Sequence, residues 1–233
     1  MSDIDSKRIN LKIKINNQYH IGSGFGLGRI IDSLLKVDED GVPVLPGSTV
    51  IGIIAQGLFD LLRFEYFKDE WDKICDYHKP GSNGVRLSCS IIGKDIEDSC
   101  LLCYFFGSTA QEGVLQCQDF RCRSDETILR PMLKSGEYSM DERRQIIKES
   151  ASHRQNIRTR TVQEKHLFVK EEGRSLLVFE GSIEFAGNVD EAKLCYIASA
   201  IKNVNAVGQR KTRGKGACTM ECSGIDAKIR GLK

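Results

Sequence analysis

The strongest constraint on this chain is Leu45-Pro46-Gly47-Ser48, placed directly before a long apolar run. Proline and glycine stop an extended segment, and a serine at that point can cap the first backbone N–H groups of a helix. Apolar residues then fall at Val50, Ile51, Ile54, Leu58, Leu61 and Leu62, so the spacing predicts a helix over 48–66 with a wide buried face. Upstream, a glycine-rich loop leads to Asp32, and the acidic turn Asp38-Glu39-Asp40-Gly41 follows it. A carboxylate is thereby delivered towards a helix N-terminus, whose unpaired N–H groups and partial positive charge suit a phosphate. Together they suggest phosphodiester chemistry. Taken alone, the stretch is also what an ordinary strand–loop–helix connection with a solvated aspartate looks like, and that is its default reading.

Arg8–Ile15 alternates polar and apolar residues, which marks a half-buried strand with Ile9, Leu11, Ile13 and Ile15 on one face. His20 follows, with Gly22, Gly24, Gly26 and Gly28 making an irregular loop. No Gly-Lys-Ser/Thr ending is present, so this is not a P-loop. Further strands are expected at Val114–Cys122, at Ser175–Phe185 with a bulge at Gly181, and at Ala217–Cys222. Asp190–Val207 reads as a second amphipathic helix, ended by Gly208. Gly208–Gly216 is a basic, glycine-rich loop.

Two segments break this pattern. Residues 75–103 gather Cys75, His78, Cys89, Cys100 and Cys103. Cys100-Leu-Leu-Cys103 has the C-x2-C spacing that lets two thiolates share one tetrahedral Zn2+, and Cys75-Asp-Tyr-His78 has a similar spacing. A structural zinc would hold a loop-rich insertion that lacks a core of its own. Buried thiols beside Leu101, Leu102, Tyr104, Phe105 and Phe106 are the alternative. The favoured ligands are His78, Cys89, Cys100 and Cys103, with Cys75 as the substitute. Residues 125–165 are rich in base, with a short helix expected near 140–149 and an extended arm near 156–161. Solvated charge explains such a run, and so does a nucleic-acid-binding arm.

The chain has 233 residues and is 40% hydrophobic, enough for a real core. Its net charge of +2 makes no global demand for nucleic acid, so any basic surface must be local. No run of about 18 apolar residues occurs, so no membrane span is expected. The polar start MSDIDSKRIN does not read as a signal peptide. Nine cysteines is an odd number, and a cytoplasmic protein with reduced thiols is expected. The element order is β–α–insertion–β–excursion–β–α–β. That is the ferredoxin-like, RRM-type arrangement, an α+β fold with a four-stranded antiparallel sheet. The open face of such a sheet often binds single-stranded RNA. The aromatic motif of ordinary RRMs is absent, so RNA would be held by loops and phosphate contacts.

With these pieces placed, the sequence resembles the RAMP superfamily of CRISPR-associated proteins. It is most similar to the backbone subunit of type III effector complexes. The resemblance is carried by Tyr19–Gly24, by Ile31-Asp32-Ser33 with Val42–Thr49, by Cys100-x2-Cys103 running into Phe105-Phe106-Gly107-Ser108, by Ile157–Thr161, and by Gly208–Gly216. It implies one domain over 1–233, with a zinc-knuckle insertion at 73–108 and a thumb-like β-hairpin at 123–170. It implies a ribonucleoprotein subunit in antiviral defense that binds CRISPR guide RNA and cleaves complementary single-stranded target RNA at regular intervals. The partners would be further copies of itself and other type III subunits.

By the resemblance, Asp32 is the residue needed for cleavage. The 2′-OH beside the scissile phosphate would attack in line, leaving a 2′,3′-cyclic phosphate and a 5′-OH. A divalent ion, Mg2+, would neutralise the phosphate. An aspartate of ordinary pKa, about 3.9, is a poor base at pH 7, which favours a metal-orienting role. Ser48 and Thr49, with Arg210, Lys211, Arg213 and Lys215, would hold guide phosphates. His20 would also contact RNA, and Arg154, Arg158 and Arg160 would act from the thumb. The family's Lys and Arg in the first helix are replaced by Ile51 and Ala55, and its thumb pattern by Arg158 and Thr159. These departures suggest a divergent, type III-D-like lineage. The competing functions are a non-catalytic guide-RNA scaffold of the same fold, a stand-alone zinc-containing RNA-binding module, and a guide-processing endonuclease. His20, His78, His153 and His166 make no obvious catalytic pair for the last of these.

Overall fold

Alternation in Arg8–Ile15 (β1) places four aliphatic residues inside and their polar neighbours outside, as expected. The computed structural model describes residues 8–28, 30–79, 87–123, 146–155, 162–209 and 211–223. The further strands are β2 (Val44–Leu45), β3 (Leu115–Cys117), β4 (Phe120–Cys122), β5 (Ile147–Gln155), β6 (Val162–Gly173), β7 (Val178–Phe185) and β8 (Cys218–Ser223). The helices are α1 (Gly47–Leu62), α2 (Lys68–Lys73), α3 (Leu101–Phe106) and α4 (Glu191–Asn203). It is an α+β structure with antiparallel sheets.

The main sheet runs β2-β4-β7-β1-β8, with β3 also pairing with β7. Its inner face joins Ile13, Phe179, Phe120 and Met220 to Ile54 and Leu58 of α1 and Ile197 and Ile201 of α4 in one hydrophobic cluster. Helix α1 packs on α4, α3 and β3, and α4 packs on β8. The outer face is charged. Lys12 lies 3.5 Å and Arg123 2.9 Å from Glu180, and Arg8 3.7 Å from Glu184. None of the paired residues on this face is aromatic.

Three expectations are corrected. Val114–Cys122 is not one strand. Cys117 faces Ile183 while Arg121 faces Glu180, so four steps on one side match three on the other, and the chain kinks at Gln118-Asp119. Gly181 is not a bulge, because the β1–β7 register runs unbroken from Arg8↔Glu184 to Lys14↔Val178. It is glycine because a Cβ there would lie 2.7 Å from the Phe120 ring. The helix expected near 140–149 is not formed at Ile147–Glu149, which pairs with Glu171–Gly173 as the start of β5. Long strand pairing outweighs local helical preference there. The arm expected at 156–161 lies outside the described residues.

The β5–β6 hairpin forms a second, two-stranded sheet. It joins the rest at its root, where Tyr19 bridges Gly173 and Ser33 bridges Lys170. Among the described residues, no single helix is long and apolar enough to cross a membrane.

Candidate functional site

The loop after β1 folds back on the hairpin root and carries Asp32 with it. The Asp32 N–H donates to the Val169 carbonyl at 2.8 Å, and the Val169 N–H donates to Asp32 Oδ2 at 2.7 Å. Asp32 therefore stays exposed while one carboxylate oxygen is fixed. Its neighbour Ser33 accepts the Glu171 N–H through its carbonyl at 3.0 Å. The Ser33 hydroxyl lies 3.1 Å from His20 Nε2. His20 Nδ1 bonds the Glu171 carbonyl, which can only accept, so the ring carries its proton on Nδ1. In the neutral ring, Nε2 then accepts from Ser33 Oγ–H.

His20 is 1% exposed, and this corrects its expected role as an RNA contact. Its ring is a buried strut beneath Asp32. The basic loop starts on the same strut, since the Gln209 N–H donates to the His20 carbonyl at 3.0 Å. Lys215, also expected on RNA, turns inward, where its Nζ lies 2.5 Å from buried Glu172. Lys170 lies 3.2 Å from the same carboxylate. Burial alone would raise the Glu172 carboxyl, but hydrogen bonds and charge from Lys215 and Lys170 outweigh it and hold it below its ordinary value. Lys211 and Arg213 remain exposed in a short turn. Arg158, Arg160 and Arg210 lie outside the described residues, and Arg154 is described only as main chain within β5.

At the start of α1, Ser48 is exposed and caps nothing; Pro46 is the N-cap residue. Asp119 Oδ1, from the kink between β3 and β4, accepts the Gly47 N–H at 2.9 Å. A Cβ on Gly47 would lie 2.4 Å from the Cys117 carbonyl oxygen, which explains the glycine. An internal carboxylate thus already occupies part of the anion-favouring helix end. Thr49 is half-buried beside it.

The insertion brings Cys75, His78, Cys100 and Cys103 together, with ligand atoms all within 4.8 Å of one another. Sγ of Cys75 lies 3.6 Å from that of Cys103 and 3.7 Å from that of Cys100, and His78 Nε2 lies 3.3 Å from Cys103 Sγ. Zn–S bonds of about 2.3 Å in a tetrahedron give edges of about 3.8 Å, so the set fits Zn2+. Cys89 does not join it. Its sulfur accepts the Cys100 N–H at 3.3 Å instead. The Cys100 thiol is pulled down to about 4, first by the hydrogen bond from Cys103, which is itself raised as the proton-holding partner. Burial pushes Cys75 up to about 11 and pushes His78 down, so the imidazole lone pair is free at neutral pH. The paired spacings Cys75-x2-His78 and Cys100-x2-Cys103 were the sequence signal for this set. No local signal pointed to Asp119, Glu171 or Glu172.

The donors around Asp32 are sparser. Among the described residues no group of three His, Cys, Asp or Glu gathers there. One carboxylate with a substrate phosphate is still a known way to hold Mg2+, so the site is compatible with it.

A family model for the RAMP superfamily matches residues 12–219. No curated protein sequence matches the chain. Among solved structures, a chain from a cryo-EM structure of the type III-B Cmr-beta bound to cognate target RNA is similar, with a TM-score of 0.58 and 11% identity. The match covers 97% of this chain and 98% of that one, and at such identity it speaks to the fold.

Proposed function

The chain belongs to the RAMP superfamily, and from that premise we propose that it is a backbone subunit of a type III CRISPR effector complex, binding guide RNA and cutting target RNA at Asp32. Its strand order, with β8, β1, β7 and β3/β4 side by side, supports a ferredoxin-like core. The observation that carries the reading is the placement of Asp32, exposed yet held by Val169 at the hairpin root and followed in sequence by half-buried Ser33, whose hydroxyl rests on buried His20. In the proposed step the 2′-oxygen attacks phosphorus, the P–O5′ bond breaks, and the proton lost from the 2′-OH is balanced by one gained at the leaving 5′-oxygen. Asp32 Oδ1, with Oδ2 fixed, is the group aimed at that phosphate. Mg2+, when bound there, would supply charge neutralisation. Lys211 and Arg213, with Arg210, would hold guide phosphates. Cys75, His78, Cys100 and Cys103 would hold a structural Zn2+ that fixes the insertion.

Replacing Asp32 by Ala in the assembled complex is expected to slow target cleavage by roughly 100-fold or more, with target binding kept. Cleavage persisting at every periodic site would remove Asp32 from the mechanism. A second reading, a non-catalytic scaffold, draws on the same contact, because docking the loop on the hairpin uses both the main chain and a carboxylate oxygen of Asp32. Binding without cleavage by the wild-type complex in Mg2+, Mn2+ and Ca2+ would select it.

A further inference from the structure

A cavity of about 190 Å³ opens between the second half of α1 and the end of α4, beside the basic loop. Among the described residues, none from the Asp32 loop or the β5–β6 hairpin lines it. The helices make the cavity. Gly57 lets them close on each other, because a Cβ there would lie 2.7 Å from the Ala200 carbonyl oxygen. Asn203 Nδ2 donates to the Gly57 carbonyl at 3.2 Å and ties the end of α4 to α1. Helix α4 then stops, with Val204 in extended backbone, and a gap is left beside α1. Its floor is Ile53, 7% exposed, and one wall is Phe64, 61% exposed. The backbone of Phe64 is held on both sides: its N–H donates to the Leu61 carbonyl at 3.2 Å, and its carbonyl accepts the Phe67 N–H at 2.9 Å. A ring fixed in water at the lip of a cavity gives up its own burial and presents a face for stacking.

We propose that this cavity is a guanine-nucleotide site. Phe64 stacks on the base, Asp60 and Asn203 read its Watson–Crick edge, and Lys211 holds its 5′-phosphate. The wall is rich in acceptors. Gln56 Nε2 donates to Asp60 Oδ1 at 2.9 Å and so orients a carboxylate that can only accept. With its Nδ2 committed to Gly57, Asn203 has its carbonyl oxygen left to offer. Guanine alone among the four bases carries two N–H groups side by side, on N1 and N2. Adenine and cytosine set a ring acceptor beside their amino group, and uracil flanks its one N–H with two carbonyls, so each would bring a lone pair against the carboxylate. Lys211 lines the same cavity from the exposed turn of the basic loop, and the Gly214 N–H closes that turn on its carbonyl at 2.9 Å. The room suits one base. That base can belong to a free nucleotide or to an unpaired residue of single-stranded RNA, and the recognition chemistry is the same. The site stands apart from Asp32 and does not depend on cleavage.

Calorimetric titration of the full chain with the four nucleoside 5′-monophosphates tests it. Guanosine monophosphate is expected to bind at least about 10-fold more tightly than the other three, and inosine monophosphate, which lacks the 2-amino group, to lose about 10-fold. Phe64→Ala is expected to weaken guanosine monophosphate about 10-fold, and Phe64→Trp to restore it. Asp60→Asn, which replaces an acceptor by a donor, is expected to erase the preference over inosine monophosphate. Lys211→Ala should weaken the monophosphate and leave guanosine unchanged. These side chains are exposed, so the variants keep their fold, which circular dichroism checks. A single-stranded RNA that displaces guanosine monophosphate only when it carries guanosine, and not with inosine in its place, assigns the site to RNA; any other result with RNA leaves it to the free nucleotide. Equal binding of the four nucleotides, no saturable binding of guanosine monophosphate, or binding unmoved by both Phe64→Ala and Asp60→Asn would each overturn the proposal.

Discussion

Cys75 and Cys89 belong to one insertion but face different partners. Cys75 Sγ stands at ligand distance from Cys100 and Cys103, whereas Cys89 Sγ accepts a backbone N–H. Cys75→Ser is expected to abolish stoichiometric zinc, measured by elemental mass spectrometry. Cys89→Ser keeps the metal and loses one weak hydrogen bond, about 1 kcal/mol. Equal zinc loss in the two variants would refute the four-residue set. The sequence made five candidate ligands visible, and two C-x2-type pairs among them. It could not show which cysteine faced the centre, because that depends on how residues 75–78 fold over 100–103. Gly181 teaches the same lesson in the core. A glycine inside a strand pattern suggests a bulge, but the ring it accommodates belongs to a distant strand. Gly181→Ala is expected to cost about 1–3 kcal/mol by overpacking against Phe120, read as a lower urea midpoint with an unchanged slope.

Elements with a strong internal period were legible, and elements defined by their neighbours were not. Strand β1 and helices α1 and α4 carry their own apolar faces, and each lies where its pattern placed it. Strands β3 and β4 are only three residues each, and the kink between them exists because Asp119 must reach α1. The Pro-Gly-Ser signal located the helix start but misassigned the cap, since the capping carboxylate lies 72 residues away. Asp119→Ala is therefore expected to destabilise the fold by about 0.5–2 kcal/mol, through a lost cap and a lost charge at the helix N-terminus. Ser48→Ala should shift stability by less than about 0.5 kcal/mol. Thermal unfolding of the two variants side by side distinguishes the assignments, and a larger effect at Ser48 would restore the serine cap. The strand at Ile147–Gln155 was hidden from its local pattern for a related reason, although the resemblance implied a β-hairpin within 123–170. Its partner, Val162–Gly173, supplies nearly all its pairing, and nothing in either segment announces the other.

At the scale of the whole molecule, the hairpin and the main sheet are separate sheets held at one root, and Glu172 is the ionic part of that joint. It is fully buried at the end of β6 and draws Lys170 from its own strand and Lys215 from the loop before β8. The two lysines hold its carboxyl below the ordinary value despite burial. In the unfolded chain the carboxyl returns to about 4.3. A folded value below the unfolded one means the contribution is complete above the unfolded pKa and is lost as pH falls through the folded one. Acidification should therefore loosen the root before it melts the apolar sheet. Hydrogen exchange, corrected for intrinsic rates, is expected to accelerate at Val169–Gly173 as pH falls below about 4, while Ile9–Ile13 stays protected. Glu172→Gln should remove that pH dependence and show the looser root already at pH 7. Glu172→Ala, which takes the shared carboxylate away from both Lys170 and Lys215, should cost about 3–5 kcal/mol. Equal acceleration in both sheets would mean that the molecule opens as one unit and that the ion cluster is not its weak joint. Since His20, Ser33 and Asp32 dock on the same root, the proposed function adds that the looser Glu172→Gln variant should bind guide RNA less well at pH 7.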